Sequence, residues 1–209
     1  MSKPRLIVIG AGGHAHACID VIERCGLYEI IGLVGLPDEM KTEHLGYVVM
    51  AIDSALPGLA KDCHHAIIAV GQIHSPAVRV RLYQRAIELG LQLPTIVSPT
   101  AYVSRHAAIG AGSIVMHGAI INAGARIGSN CIINTRAIIE HDVTVADHCH
   151  ISTGAILNGN VKVGQGSFVG SGTVIKEGVS IGSNCIMGMG LAVWHNQTDT
   201  ARLTGSRTS

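Results

Sequence analysis

The run AAIGAGSIVMHGAIINAGARIGSN, residues 107–130, repeats itself every six residues. The third residue of each six is aliphatic (Ile109, Val115, Ile121, Ile127), the first is small (Ala107, Ser113, Ala119, Ala125), and Gly or Asn closes the unit. The register extends from Ala101 to Asn196, sixteen hexads without an insertion, and its third position is Val, Ile, Leu or Met from Val103 to Val193. A period of six marks a solenoid of short parallel strands. Each hexad supplies a strand and a turn, and three hexads close one triangular coil of 18 residues. The third residue points into the prism, and the small first residue leaves room where the backbone bends. Coils stack at about 4.8 Å, the spacing of neighbouring strands. One coil cannot bury its own faces, so stability accumulates along the stack.

Residues 1–97 follow another pattern. RLIVIG (5–10), EIIGLV (29–34), YVVM (47–50), AIIAVG (66–71) and LPTIV (93–97) read as strands. HAHACIDVIERCG (14–26) and PAVRVRLYQRAIELG (76–90) read as amphipathic helices that stop at Gly26 and Gly90. Strand–helix alternation implies a parallel sheet with helices on its faces. The expected organisation is a Rossmann-like α/β domain over 1–97, an all-β solenoid of hexapeptide repeats over 98–196, and a polar, mobile tail over 197–209.

Composition agrees with small-residue packing. Apolar residues make up 47% of the chain but aromatics only 3%, so the core is built from short aliphatic side chains. A net charge of +1 gives no nucleic-acid footprint and no attraction to an anionic membrane. The opening MSKPRLIVIGAGG has too short an apolar run for a signal peptide, and no run of about 18 apolar residues follows. A cytoplasmic protein is expected, with no membrane and no nucleic acid as partner. The six cysteines show no CxxC pairing and read as reduced, buried fillers.

The repeat carries one unusual stretch, IIEHDVTVADHCHI, residues 138–151. His141 and Asp142 hold the fifth and sixth hexad positions, at a prism corner where side chains face out. A histidine titrates in the range needed to take a proton near neutral pH. An adjacent carboxylate orients the ring and stabilises its charged form. Glu140 is the competing carboxylate, but one step along an extended backbone points it to the other side. The plain alternative is that the pair decorates a solvated turn. A His–Glu–His zinc site matches no familiar spacing, so no metal is expected. His148 reads as a surface turn residue.

In the first domain GAGGHA follows a strand and opens a helix, with Gly10, Gly12 and Ala15 giving G-x-G-x-x-A. Loop amides and a helix N-terminus there can hold phosphate. A dinucleotide site expects an acid at the end of the second strand, but GLVGLPDE places Val34, Gly35 and Leu36 there and Asp38 late. That counts against NAD. GQIHSPAVR (71–79) puts polar residues at a strand end, where open α/β sheets take ligands.

This order of domains, with AIGAG, NAGARIG and NTRAIIEHDVTVADHCHISTGA in the repeats, resembles the hexapeptide-repeat sugar acetyltransferases related to sialic-acid O-acetyltransferase and UDP-N-acetylbacillosamine N-acetyltransferase. The likeness covers about residues 4–193. It implies a left-handed parallel β-helix; simple parallel crossovers prefer the right hand. It implies a homotrimer with active sites between subunits, and acetyl-CoA as co-substrate. His141 would be the general base and Asp142 its helper. His150, Gly159, Ser171 and Met189, with Gly190 beside the last, would contact acetyl-CoA. Gly12, Gly13 and His14 would hold the diphosphate of a nucleotide-linked amino sugar, with Gly71 near its nucleoside. The activity implied is acetyl transfer to a bacterial amino sugar for surface glycans. The chain departs from the family in two places: GLPDE replaces an acidic run after the second strand, and NQTDTARLTGSRTS replaces the usual closing segment. Three rivals remain: O-acetylation of a sialic-acid-like sugar, a non-catalytic scaffold, and a zinc hydratase using His117, His141 and His150. Hexad positions put His117 and His150 together and His141 elsewhere.

Overall fold

The computed structural model describes residues 2–205. They form two units. One runs to Gly71 and resumes over Ala77–Pro99; the other is Gln72–Pro76 with the chain from Thr100 onward.

The first unit runs β1 (Arg5–Ile9), α1 (Gly13–Cys25), β2 (Glu29–Gly35), β3 (Glu43–His44), β4 (Tyr47–Ile52), α2 (Leu56–Asp62), β5 (His65–Ile68), α3 (Ala77–Glu88) and β6 (Ile96–Val97). Sheet order is β3-β4-β2-β1-β5. All neighbours are parallel except β3, which forms a hairpin with β4. Leu6, Ile7, Val8 and Ile9 are buried, which is why β1 is a continuous apolar run. The strand order reverses at β1, with β2 on one side and β5 on the other. The crevice beyond the carboxyl ends of such strands is where open α/β sheets take ligands. α1 closes at Gly26, whose φ of 68° and N–H bond to the Ile22 carbonyl form a left-handed cap. The strands and both long helices follow the sequence pattern. α2, the short hairpin and a 3₁₀ turn at Pro37–Glu39 carry no strong periodicity and were not expected.

In the second unit each strand pairs in parallel with one 18 residues on, as Ile120 with Ile138 and Ile138 with Ile156. Three faces result. The outward residues of one face are Tyr102, Ile120, Ile138, Ile156, Val174 and Ala192. On the next they are Ala108, Arg126, Thr144, Lys162 and Ser180. On the third they are Ile114, Ile132, His150, Phe168, Ile186 and Arg202. We call them the aliphatic, polar and histidine faces. Third-position residues from Val115 to Val193 are buried; Val103 and Ile109, on the end coil, are half-buried.

The small first position does more than fill space. On the histidine face Ser113 donates to the Gly128 carbonyl at 2.8 Å, Cys131 to Ala146 at 3.2 Å, Cys149 to Gly164 at 3.1 Å and Ser167 to Gly182 at 2.7 Å. Each hydroxyl or thiol ties its strand to the corner of the next coil. The six cysteines are free. Burial pushes the Cys18 thiol up to about 12, against the lowering charge of Arg79. The sixth position is left-handed: φ is 53° at Asn130, 59° at Asp142, 60° at His148 and 59° at Asn160. Asn and Asp tolerate this region better than most residues.

Two expectations need correction. The segment after Asn196 is not wholly mobile. Arg202–Leu203 pairs with Ile186–Met187, because the last coil's open ladder groups need partners: Ile186 N–H reaches the Ala201 carbonyl at 2.8 Å and Gly188 N–H that of Leu203 at 2.7 Å. The spacing falls to 16 residues (Ile186 to Arg202) from 18 (Phe168 to Ile186), so the hexad pattern cannot reveal it. The last four residues of the expected tail lie outside the described residues. His148 is also buried rather than on the surface: its Nδ1 lies 3.0 Å from Asn130 Nδ2, and its carbonyl accepts from Gln72 Nε2 at 3.0 Å.

The repeat makes a direct prediction. Ile133→Ala opens a void where no side chain can collapse and should cost about 2–5 kcal/mol. Lys162→Ala, on the polar face, should change stability by less than about 0.5 kcal/mol. Urea midpoints of the two variants check the contrast.

Candidate active site

His141 and Asp142 stand on the edge that joins the aliphatic face to the polar face. Asp142 takes the left-handed corner, and its N–H bonds to the Ala123 carbonyl of the coil below at 3.1 Å. That fixes the carboxylate beside the preceding residue: His141 Nδ1 lies 3.0 Å from Asp142 Oδ2. Nδ1–H is therefore the donor, and Nε2 is left bare as the acceptor. Glu140 turns the other way, where Asn122 Nδ2 donates to its Oε2 at 3.0 Å. The His141 side chain is 55% exposed, so the ring is open to a substrate. The hydrogen bond to Asp142 raises the His141 pKa above the ordinary imidazole value. Partial desolvation opposes this, and the charges of Asp142, Glu140 and Glu177 add to the rise.

Two glycines make room for the pair. A Cβ on Gly159 would lie 2.6 Å from both Cε1 and Nε2 of His141. A Cβ on Gly124 would meet the Asp142 carboxylate. Both sit one 18-residue coil away on the same edge, Gly159 after His141 and Gly124 before Asp142. Gly159, which the resemblance gave as an acetyl-CoA contact, lies against the His141 ring, and its lack of a side chain clears space for the imidazole. Its own N–H has no hydrogen-bond partner among the described residues.

Around His141 lies an open cleft of about 460 Å³, walled by Asn158, Gly159, Val174 and Ala192 and reaching Lys176, Glu177 and Trp194. Lys176 and Trp194 follow Asn158 at intervals of 18 along the fourth hexad position. Trp194 is 62% exposed. The sequence reading passed over both, because the fourth position is nominally a polar turn. Only the 18-residue alignment with Glu140 and Asn158 would have picked them out.

The remaining expected residues fall elsewhere. Ser171 and Met189 occupy the edge between the histidine and aliphatic faces, with Gly190 next to them. Met189 is 79% exposed, and a Cβ on Gly190 would meet only open space. Ser171 Oγ lies 3.0 Å from Ser152 Oγ. His117 shares this edge, one corner of the prism away from His141. His150, expected to contact acetyl-CoA, is buried in the single chain. It is 6% exposed, its Nδ1 donates to the Gln72 carbonyl at 2.6 Å, its Nε2 lies 3.1 Å from Asn134 Nδ2, and its ring stands edge-on to Phe168. Nδ1 is occupied because residues 72–76 fold back over the histidine face; Nε2 is met by Asn134 of the coil itself. Among the described residues no three His, Cys, Asp or Glu side chains converge as a metal site would require.

In the first unit Gly12 and Gly13 precede and open α1, and a Cβ on either would meet nothing within 4 Å. His14 follows in the first turn, and a Cβ on Gly71 would lie 3.5 Å from the His14 Cβ. These four residues gather at the carboxyl ends of β1 and β5.

The chain matches known proteins in both units. Residues 5–86 match the PglD N-terminal domain, and residues 160–194 match the hexapeptide repeat of succinyl-transferase. A perosamine N-acetyltransferase from Caulobacter crescentus, solved with CoA and GDP-perosamine in a variant carrying Asn for one histidine, is 32% identical. The match covers 99% of this chain and 96% of that one, with a TM-score of 0.92. The acetyltransferase domain of PglB from Neisseria gonorrhoeae FA1090, in complex with acetyl coenzyme A, is 31% identical over 98% of this chain and 97% of its own, with a TM-score of 0.90. WeeI from Acinetobacter baumannii AYE, at 21% identity over 97% and 98% of the two chains and a TM-score of 0.83, shares the fold. None of the curated protein sequences compared with the chain matches it significantly.

Two variants test the corner. Gly159 lies outside the left-handed region, so Gly159→Ala leaves the backbone unstrained and instead pushes the imidazole aside. Turnover should fall by about 10²-fold or more, while the unfolding midpoint stays near that of the parent. Asp142→Asn removes what holds the His141 pKa up. The acidic limb of the pH profile of kcat/KM should then move to lower pH, and the plateau should drop. A limb that stays in place would show that another group titrates.

Proposed function

This chain belongs to the hexapeptide-repeat sugar acetyltransferases, the family of sialic-acid O-acetyltransferase and UDP-N-acetylbacillosamine N-acetyltransferase, and we propose that its acceptor is the amine of a nucleotide-linked amino sugar. It is an acetyl-CoA-dependent acyltransferase built on a left-handed β-helix. The observation that carries the reading is the bare Nε2 of His141, fixed by Asp142 and opening into a cleft. Similar chains crystallised with CoA, acetyl-CoA and GDP-perosamine support the choice of substrates.

The geometry supports the following reaction. The neutral sugar amine attacks the thioester carbonyl. Nε2 of His141 takes the proton that the nitrogen sheds, and Asp142 stabilises the imidazolium formed. The carbonyl oxygen gains charge, and the unpartnered Gly159 N–H, next to the imidazole, is the donor for it. Collapse breaks the C–S bond, and the thiolate takes the proton from His141. Amide and free CoA thiol leave, and the enzyme returns to its starting state without a covalent intermediate. Further along the cleft, Lys176 and Trp194 offer a cation and a ring to the phosphates and adenine of CoA. Gly12, Gly13 and His14 hold the diphosphate of the nucleotide-linked acceptor sugar, with Gly71 beside His14.

The aliphatic face is the surface on which three copies join. Its outward residues Ile120, Ile138, Ile156, Val174 and Ala192 form a stripe that water would not leave open, unlike the Arg126–Thr144–Lys162 row beside it. The stripe lies between the His141 edge and the Ser171–Met189 edge. Threefold packing on it therefore sets the His141 edge of one copy against the Met189 edge of the next. Acetyl-CoA lies in that seam, which explains why the expected CoA contacts sit on a different edge from the base.

Thiol release from acetyl-CoA, assayed with GDP- and UDP-linked 4-amino sugars, tests the activity. His141→Ala should lose about 10²–10⁴ in kcat. A hydroxyl acceptor preferred over every amine would turn the reading to O-acetylation. In light scattering the protein should weigh three times 21.8 kDa. Ile138→Arg should yield folded single chains without acetyl transfer; an active single chain would contradict the seam.

A further inference from the structure

On the edge between the histidine and aliphatic faces, the sixth hexad position reads Gly118, Arg136, Gly154, Gly172 and Gly190. All five are left-handed, with φ of 66°, 57°, 65°, 66° and 68°. Glycine suits this conformation, and a Cβ strains it. Among the described residues, the repeat's other left-handed corners without glycine are Asn130, Asp142, His148, Asn160 and Asn184, types that tolerate the region better. Arg136 belongs to neither group. The ladder holds its backbone, through its N–H bond to the His117 carbonyl at 3.0 Å. Its side chain is exposed and makes no hydrogen bond or ion pair among the described residues. A strained corner with no return inside its own chain calls for a functional reason.

A second feature supplies one. The Arg136 stem runs over Gly118, one coil below, where a Cβ would touch its Cγ at 3.4 Å. On the His141 edge, Asp142 Oδ1 lies over Gly124, also one coil below. Asp142 gives only Oδ2 to His141; Oδ1 has no partner among the described residues, and the side chain is 60% exposed. Arg136 and Asp142 are six residues apart, one third of an 18-residue coil. That is about 1.6 Å of height at the strand spacing. A free cation and a free carboxylate oxygen thus stand on two edges of one prism at nearly one level, both leaning the same way.

The proposed seam sets these two edges of neighbouring copies against each other. Threefold rotation about an axis along the stack leaves heights unchanged, so the two groups meet there. We propose that Arg136 of one copy donates to Asp142 Oδ1 of the next, and so holds the carboxylate that orients the His141 ring. Arg136 is a positioning residue supplied in trans, and the catalytic corner is incomplete without a second copy. This rests on the threefold reading of the aliphatic face. The guanidinium also balances charge. His141 faces Asp142, Glu140 and Glu177, all of which favour its protonated form, with Lys176 further along the cleft. A cation on Asp142 offsets part of that pull and keeps the ring available as a base near neutral pH.

Mixed trimers test the inference. Arg136→Gly, the residue the rest of the row carries, relieves the backbone, so the unfolding midpoint should hold. Its kcat/KM should fall about tenfold or more, the worth of a hydrogen bond between charged groups. The acidic limb of its pH profile should move to higher pH, opposite to Asp142→Asn, and Arg136→Lys should bring the limb back. Co-expressed with His141→Ala copies, it pairs a sound His141 with a sound Arg136 at roughly a quarter of randomly assembled seams. The mixture should then be more active per chain than either variant alone. An Arg136 acting within its own copy gives a mixture weaker than Arg136→Gly alone. That result, full turnover in Arg136→Gly, or a limb that stays in place overturns the role of Arg136 and leaves the seam standing. A parent that is a single chain in light scattering overturns the seam, and the inference with it.

Discussion

The ladder that pairs each residue with the one 18 places on is the constraint on which the solenoid rests. It is made of ordinary parallel strand bonds, repeated coil after coil, and it leaves no freedom in register. Every side chain on an edge therefore has its neighbours fixed by arithmetic. Asp142 sits over position 124, and His141 sits beside position 159. A catalytic pair on a loop would have to be held by contacts of its own. Here the backbone ladder holds it, and the side chains need supply only one hydrogen bond, from Nδ1 to the carboxylate.

That rigidity has a local cost. The corner residue must adopt a left-handed backbone, and Asp142 does so at a φ of 59°. The same turn that strains it points its carboxylate back at the preceding imidazole. The two glycines next to the pair absorb the remaining crowding. Corner conformation, carboxylate direction and glycine placement are thus one arrangement. It produces an imidazole with raised basicity that is still open to solvent, a combination burial could not give, since burial lowers a histidine's pKa.

The solenoid was almost wholly legible in the sequence, because a six-residue period with an invariant inward residue has no other reading. The His141–Asp142 pair was legible for the same reason: hexad position alone placed it on a corner. What the sequence hid lay off the repeat. The return of Arg202–Leu203 onto the stack breaks the period, and the burial of His148 and His150 depends on residues 72–76, which belong to the other half of the sequence. The crowding at Gly159 was present in the numbering, but glycine is so common at these corners that no single one stands out.

The two units divide the labour that the family's chemistry requires. The first has its strand-order reversal at β1, with Gly12, Gly13 and His14 at the carboxyl end of that strand. The second carries the His141–Asp142 corner, the open cleft around it and an aliphatic face. The claim on which catalysis turns is the state of one ring, and nitrogen NMR of histidine-labelled protein, with His141→Asn to assign the signal, reads it directly. The account predicts a neutral His141 carrying its hydrogen on Nδ1 and titrating above the ordinary imidazole value. A hydrogen found on Nε2, or a titration at or below that value, would contradict it.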